Sequence, residues 1–177
     1  MTEKNDTSML TEKYIFRNIR QEEIAQTSEI EKICFPPNEA CSYEHMEDRV
    51  KKAPELFLVA EDRATGKIAG FLNGLATDRE HLTDDFFTDA EMHDPKGKNI
   101  MLLGLDVLPK YQHQGLAREL VRCYKEREKV NGREKLILTC LPDKVEMYQK
   151  FGFKDHGIGV SVWGGEAWHE MSVELWG

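Results

Sequence analysis

The sequence predicts an α/β fold in which about seven strands form one mixed sheet flanked by about four helices. Three observations predict it. Ile100-Met101-Leu102-Leu103-Gly104-Leu105-Asp106-Val107 is a nearly unbroken apolar run, the pattern of a strand buried on both faces. Leu116, Leu120, Val121, Tyr124 and Val130 then recur at helical spacing, and Asn131-Gly132 supplies a left-handed stop. Lys135 to Cys140 is a second strand, which makes a βαβ unit with parallel strands and a right-handed crossover.

The other elements follow in chain order. Residues 1–13 read as a loose polar tail, and residues 14–177 as a single domain. Tyr14 to Ile19 is aromatic and β-branched, a first strand. Ile24, Ile30, Ile33 and Cys34 mark a helix that stops before Pro36-Pro37. Ser42 caps a second helix carrying Tyr43, Met46 and Val50 on one side. Leu56–Ala60 and Ile68–Leu75 form a hairpin around Arg63-Ala64-Thr65-Gly66. Thr77 to Asn99 is polar and acidic with Phe86 and Phe87 inside it; so long a segment is either functional or mobile, or else a solvated insertion. Asp143 and Glu146 have capping-box spacing and open a short helix through Phe151, and Phe153–Trp163 and Trp168–Leu175 read as closing strands.

Composition narrows the function. Of 177 residues 40% are hydrophobic and 32% charged, with 13 Gly and 6 Pro, which excludes collagen, low-complexity disorder and a disulfide miniprotein. The longest apolar stretch is far short of the roughly 20 residues that span a bilayer, so no membrane partner is expected. A net charge of −8 weighs against nucleic acid and mildly favours a cationic small partner. Cys34, Cys41, Cys123 and Cys140 form no C-x-x-C pair, so no metal is expected, and the polar start without an apolar run points to the cytoplasm.

The chemistry lies between the buried strand and the long helix, in Gln112-His113-Gln114-Gly115-Leu116-Ala117. Small residues at a helix start let backbone approach a ligand, and the free N–H groups and helix dipole favour an anion such as pyrophosphate. The segment is neither a Walker loop nor the dinucleotide G-x-G-x-x-G. The pattern [QR]-x-x-G-x-[GA] alone is weak, at roughly 0.2 chance matches in such a chain. Its placement after a buried strand and before an amphipathic helix is what gives it weight.

In that context the sequence resembles the GNAT superfamily of acetyl-CoA-dependent N-acetyltransferases. Tyr148-Gln149-Lys150-Phe151-Gly152-Phe153 is similar to the Y-x-x-x-G-F signature of the same fold. Within the superfamily the chain is similar to the arylalkylamine (serotonin) N-acetyltransferases at Ala53-Pro54-Glu55-Leu56, Asp78-Arg79-Glu80-His81-Leu82, Thr139-Cys140 and Trp168-His169-Glu170-Met171. The likeness runs from about Tyr14 to Trp176.

The resemblance implies a direct acetyl transfer from acetyl-CoA, as co-substrate, to a small-molecule primary amine in a ternary complex, by a monomer or homodimer. It implies that backbone groups of Leu105, Asp106 and Val107 pair with the pantetheine arm, and that the loop from Gln112 through His113, Gln114, Gly115, Leu116 and Ala117 to Arg118 holds the pyrophosphate. Tyr148 matches the tyrosine that donates a proton to the departing sulfur. Positions contacting the amine map onto Phe35, Thr139, Trp163, Glu166 and Trp168, where two indoles and a carboxylate suit a cation on an apolar body.

One departure bears on the mechanism. An alkylamine with pKa near 10.4 is neutral only about one part in 10³ at pH 7, a cost of roughly 4–5 kcal/mol, so a route for its proton is useful. The histidine pair that serves in the serotonin enzymes is replaced by Met101 and Leu103. A water chain, Glu166 or Asp106 has to substitute. The same loss leaves open a non-catalytic acetyl-CoA sensor. A third reading makes Cys140 a nucleophile with His156 or His169 as its base.

Overall fold

The computed structural model describes residues 9–176. Seven strands form one mixed sheet: β1 (Tyr14–Asn18), β2 (Phe57–Asp62), β3 (Ile68–Thr77), β4 (Asn99–Val107), β5 (Lys135–Cys140), β6 (Lys154–Ile158) and β7 (His169–Glu174). The order across it is β1-β2-β3-β4-β5-β7-β6. Only β4 and β5 run parallel, joined by the crossover helix that the sequence predicts. The helices are α1 (Ile24–Cys34), α2 (Tyr43–Lys52), the single turn α3 (Asp85–Thr88), α4 (Leu116–Val130) and α5 (Val145–Lys150).

Strand periodicity divides the core. Phe57 and Val59 of β2 join Phe71 of β3 under Ile24, Ile30, Met46 and Val50 of α1 and α2. Leu58, Ala60 and Leu72 point the other way, toward Leu116, Leu120 and Tyr124 of α4. All ten residues of β3 are buried, as a central strand covered on both faces requires. Ser42 caps α2 as expected, its hydroxyl accepting from the His45 N–H at 3.1 Å.

Four readings of the sequence change. Of the expected tail, residues 1–8 lie outside the described residues, while residues 9–13 are helical and put Leu10 into the core. The capping box at Asp143 does not form: Pro142–Lys144 is a 3-10 turn, and Lys144 precedes α5 without a side-chain cap. The strand expected over Phe153–Trp163 covers only Lys154–Ile158, because Asp84 draws the later residues off the ladder, accepting from the Ser161 hydroxyl and the Val162 N–H. The segment after Thr77 is no solvated insertion: Leu82 and Phe86 are buried, and Glu170 binds the Leu82 N–H at 2.9 Å.

Candidate active site

The site begins where two strands part. β4 pairs with β5 only at Asn99, Ile100 and Met101, opposite Lys135, Leu136 and Ile137, although both strands continue. β3 stays paired with β4 as far as Val107, with a register shift between Asn73 and Gly74. Leu105, Asp106 and Val107 therefore have β3 on one side and no strand partner on the side of β5. A groove of about 670 Å³ opens along this edge. An extended ligand arm there completes the ladder as an added strand does.

At the groove's outer end the chain turns into α4. His113 and Gly115 both have positive φ, 63° and 83°. Gly115 is the N-cap, and a Cβ added to it meets nothing closer than Leu10 Cδ1 at 4.0 Å, so its backbone conformation rather than space calls for glycine. The first amides of α4 have no intrahelical acceptor and face the positive end of the dipole. Side chains fix this loop from behind. Gln112 Nε2 donates to Val107 O at 3.0 Å, and Gln114 Oε1 accepts from Lys13 Nζ at 2.8 Å and the Tyr14 hydroxyl at 3.0 Å. Leu116 is buried in the core, so it has only its backbone to offer. Ala117 and Arg118 line the groove. A second hollow of about 660 Å³ adjoins the loop, where Arg118, Arg122, Lys125 and Lys150 gather on an otherwise acidic chain. Lys125 donates to Phe151 O at 3.1 Å, and burial lowers its pKa.

Tyr148 stands where the groove meets an inner pocket of about 80 Å³, and it lines both. Phe151 and Phe153 hold its ring edge-on, with centroids at 6.0 and 5.7 Å. Burial first, then Cys140 and Asp106, keep the phenol protonated well above its ordinary range. It is thus a proton donor at neutral pH.

Phe35, Thr139, Trp163 and Trp168 all line the inner pocket. Both indole N–H groups serve the scaffold: Trp163 donates to Glu39 O at 2.8 Å and Trp168 to Trp163 O at 2.7 Å. One Trp163 face stacks on Phe87, 5.0 Å between centroids. Glu166 lies outside the lining of pocket and groove. The carboxylates on the wall are instead Glu31 and Glu39, and the Glu39 pKa is raised by burial and by the charges of Glu166 and Asp143.

Four charged or aromatic wall residues escape the sequence reading: Glu31, Glu39, Arg49 and Phe87. Glu31 follows Ile24, Thr27 and Ser28 on the buried face of α1, one heptad after Ile24, and that spacing is the signal for it. Arg49 sits beside Met46 and Val50 on the buried face of α2. Glu31 accepts from the Cys41 N–H at 3.1 Å with one oxygen and turns the other toward Asp106. Gly104 makes room for the two carboxyl groups, since a Cβ there lies 3.2 Å from Asp106 Oδ1 and 3.6 Å from Glu31 Oε1. Burial, then Glu31, Cys34 and Cys41, raise the Asp106 pKa well above the carboxylate range. Asp106 is thus a neutral acid inside the protein rather than a ready proton acceptor, and its side chain is absent from the lining of the groove.

Cys140 lines the groove, but burial, with Asp155 and Asp143, pushes its thiol up to about 12. His169 is bonded to Asp155 at 3.0 Å and His156 to the Ser172 hydroxyl at 2.7 Å. No thiolate is generated here, which removes the support for a cysteine nucleophile. Among the described residues no group of three or more His, Cys, Asp or Glu side chains is placed to hold a metal ion, and no helix is long and apolar enough to cross a membrane.

Known proteins share this architecture. Over 158 residues the chain is 27% identical to a probable hydrolase of Bacillus subtilis (strain 168), YhcX, a match that covers 85% of this chain and 30% of that protein. The chain thus spans less than a third of that relative. The loading GNATL domain of CurA from Lyngbya majuscula superposes with a TM-score of 0.78 at 17% identity, over 92% of this chain and 98% of that one. The GphF GNAT-like decarboxylase, solved with isobutyryl-CoA, gives 0.75 at 18% identity over 91% and 99%. At such identities the two structures speak for the fold alone. The sequence model of the acetyltransferase (GNAT) family matches residues 24–153, from the start of α1 through the parting strands and the loop before α4 to Phe153, and the chain belongs to that family.

Proposed function

We propose that the chain moves an acetyl group from acetyl-CoA to a primary amine by direct attack in a ternary complex. The observation that carries this reading is the parting of β4 from β5, which opens a groove with the Gly115 loop at one end and Tyr148 at the other. The donor set suits the coenzyme: an unpaired strand edge for the amide-bearing arm, helix amides for the diphosphate, and the cations around Lys125 for a further phosphate.

The chemistry follows from what surrounds the reacting end. Glu31 faces the inner pocket and takes one proton from the ammonium, passing it to solvent. The freed nitrogen attacks the thioester carbonyl carbon, the carbon–sulfur bond breaks, and the Tyr148 hydroxyl protonates the departing sulfur. The second proton leaves the new amide nitrogen and restores the phenol. Glu31 thereby fills the role that Met101 and Leu103 cannot, with neutral Asp106 behind it. A proton acceptor and a donor each contribute about 10²–10⁴ in rate at the usual scale.

The acidic rim of Glu39, Glu166 and Asp143 favours a cationic acceptor, and Phe35, Phe87 and Trp163 give it an apolar wall. An inner volume of 80 Å³ favours a smaller acceptor than an indole-bearing arylalkylamine, since a cavity known to take benzene measures about 150 Å³. Mixing the protein, acetyl-CoA and a panel of amines while following free thiol tests the reading. Amine-dependent thiol release is expected. Coenzyme binding without release makes the chain a binding module, and no coenzyme binding removes the assignment.

A further inference from the structure

Arg49 has no use in the mechanism above, yet it is 3% exposed and lines the inner pocket with Glu31, Phe87 and Tyr148. Its Nη2 donates to Phe87 O at 2.9 Å, which pins the guanidinium in place. Its Nε and Nη1 are fully buried and have no hydrogen-bond partner among the described residues. Leaving buried donors unpaired costs about 1–3 kcal/mol each, and more for a charged group. An arginine is also the side chain whose geometry suits a carboxylate. The same pocket is lined by Glu31, whose equally buried Oε1 is turned toward Asp106 and accepts from no N–H among the described residues. The pocket therefore holds one guanidinium with unpaired donors and one carboxyl group, within a volume suited to a small molecule.

We propose that Arg49 anchors a carboxylate that the substrate carries into the inner pocket, and that the acceptor is a small zwitterion with its ammonium at Glu31 and its carboxylate at Arg49. Chemically it is a small amino acid. This deepens the acetyl-transfer reading and rests on it for the identity of the acceptor. A single-charged amine satisfies Glu31 and leaves Arg49 buried and bare; a zwitterion satisfies both. A carboxylate can also arrive on the acyl group, as in a malonyl thioester, and the same guanidinium would receive it.

The test compares matched pairs on the full chain: glycine with methylamine, alanine with ethylamine, and acetyl-CoA with malonyl-CoA. Thiol release is read for the acceptors and calorimetric affinity for the two thioesters, in the native protein, Arg49→Lys and Arg49→Met. Thermal melting selects the variants that remain folded, and Arg49→Lys keeps the positive charge should Arg49→Met fail to fold. The expected result is at least tenfold higher kcat/KM for the amino acids than for their amines. That preference falls to within about twofold in Arg49→Met and is partly kept in Arg49→Lys, with acetyl-CoA affinity unchanged. Tighter binding of malonyl-CoA than acetyl-CoA that depends on Arg49 upholds the carboxylate anchor and moves its source to the acyl group. Equal treatment of amino acids and amines, together with equal affinity for the two thioesters, overturns the proposal. Absence of thiol release with every acceptor sinks the transfer reading instead, and the thioester affinities still decide whether Arg49 receives a carboxylate.

Discussion

The two ends of β4 differ as if they belonged to different proteins. At Asn99–Met101 the strand is paired on both edges, and Ile100, Met101, Leu136 and Ile137 are at most 1% exposed in an apolar core. From Leu103 onward one edge is bare, and Asp106, Glu31 and Asn73 bury oxygens that nothing in the chain satisfies. Folded proteins pair nearly all buried polar groups. The closed end leaves one exception, Asn99 Oδ1. The open end leaves several, and of these only Glu31 lines the inner pocket, where a ligand can meet it, so the stability of one half and ligand binding at the other should respond to different substitutions.

The largest expected effect is at the closed end. Leu136→Ala empties a fully buried site and should cost about 2–5 kcal/mol in denaturant unfolding, leaving acetyl-CoA affinity of the folded fraction unchanged. Weaker coenzyme binding in step with the lost stability would show that the ends are not separable. At the open end, Tyr148→Phe should lower kcat at least about tenfold with little change in coenzyme affinity. An unaltered kcat removes the phenol from proton transfer.

A third substitution reads the buried acid. The Asp106 pKa is raised in the folded state, so its contribution is fully present below the unfolded value near 3.9 and is lost as pH rises toward the folded value. Across that window native stability should fall by up to about 1.4 kcal/mol per pH unit through this group. Asp106→Asn should flatten the melting temperature against pH; an unchanged slope assigns the linkage elsewhere. The smallest effect is expected at Gly115→Ala. Its Cβ meets open space but its φ of 83° is retained, so strain of about 1 kcal/mol should lower the unfolding free energy by that amount and leave coenzyme affinity unchanged. Unchanged stability with weaker coenzyme binding would mean that the loop relaxes into another conformation.

The β4–α4–β5 unit was legible because a doubly buried strand reads as an apolar run and α4 keeps strict helical spacing. The loop before α4 was legible as well, since it is made of backbone and needs only its place between a buried strand and a helix. The charged and aromatic wall of the inner pocket was not. Glu31 and Arg49 look like the ordinary charged residues of amphipathic helices, and only the seating of α1 and α2 over the open half of β4 turns them inward. Phe87 hid in an acidic stretch that reads as solvated, until Leu82 and Phe86 anchored it. The long sixth strand was over-read because its β-branched residues carry no sign of Asp84 pulling Ser161 and Val162 away.

Asp84, after Thr77, binds Ser161 and Val162 before β7, and Glu170 of β7 binds the Leu82 N–H back in the stretch after Thr77, contacts that span 77 to 88 positions of the chain. These two segments carry Phe87 on one side and Trp163 on the other. They form a clasp, and exchanging both segments together remodels this wall of the inner pocket while leaving the parting strands and the loop before α4 untouched.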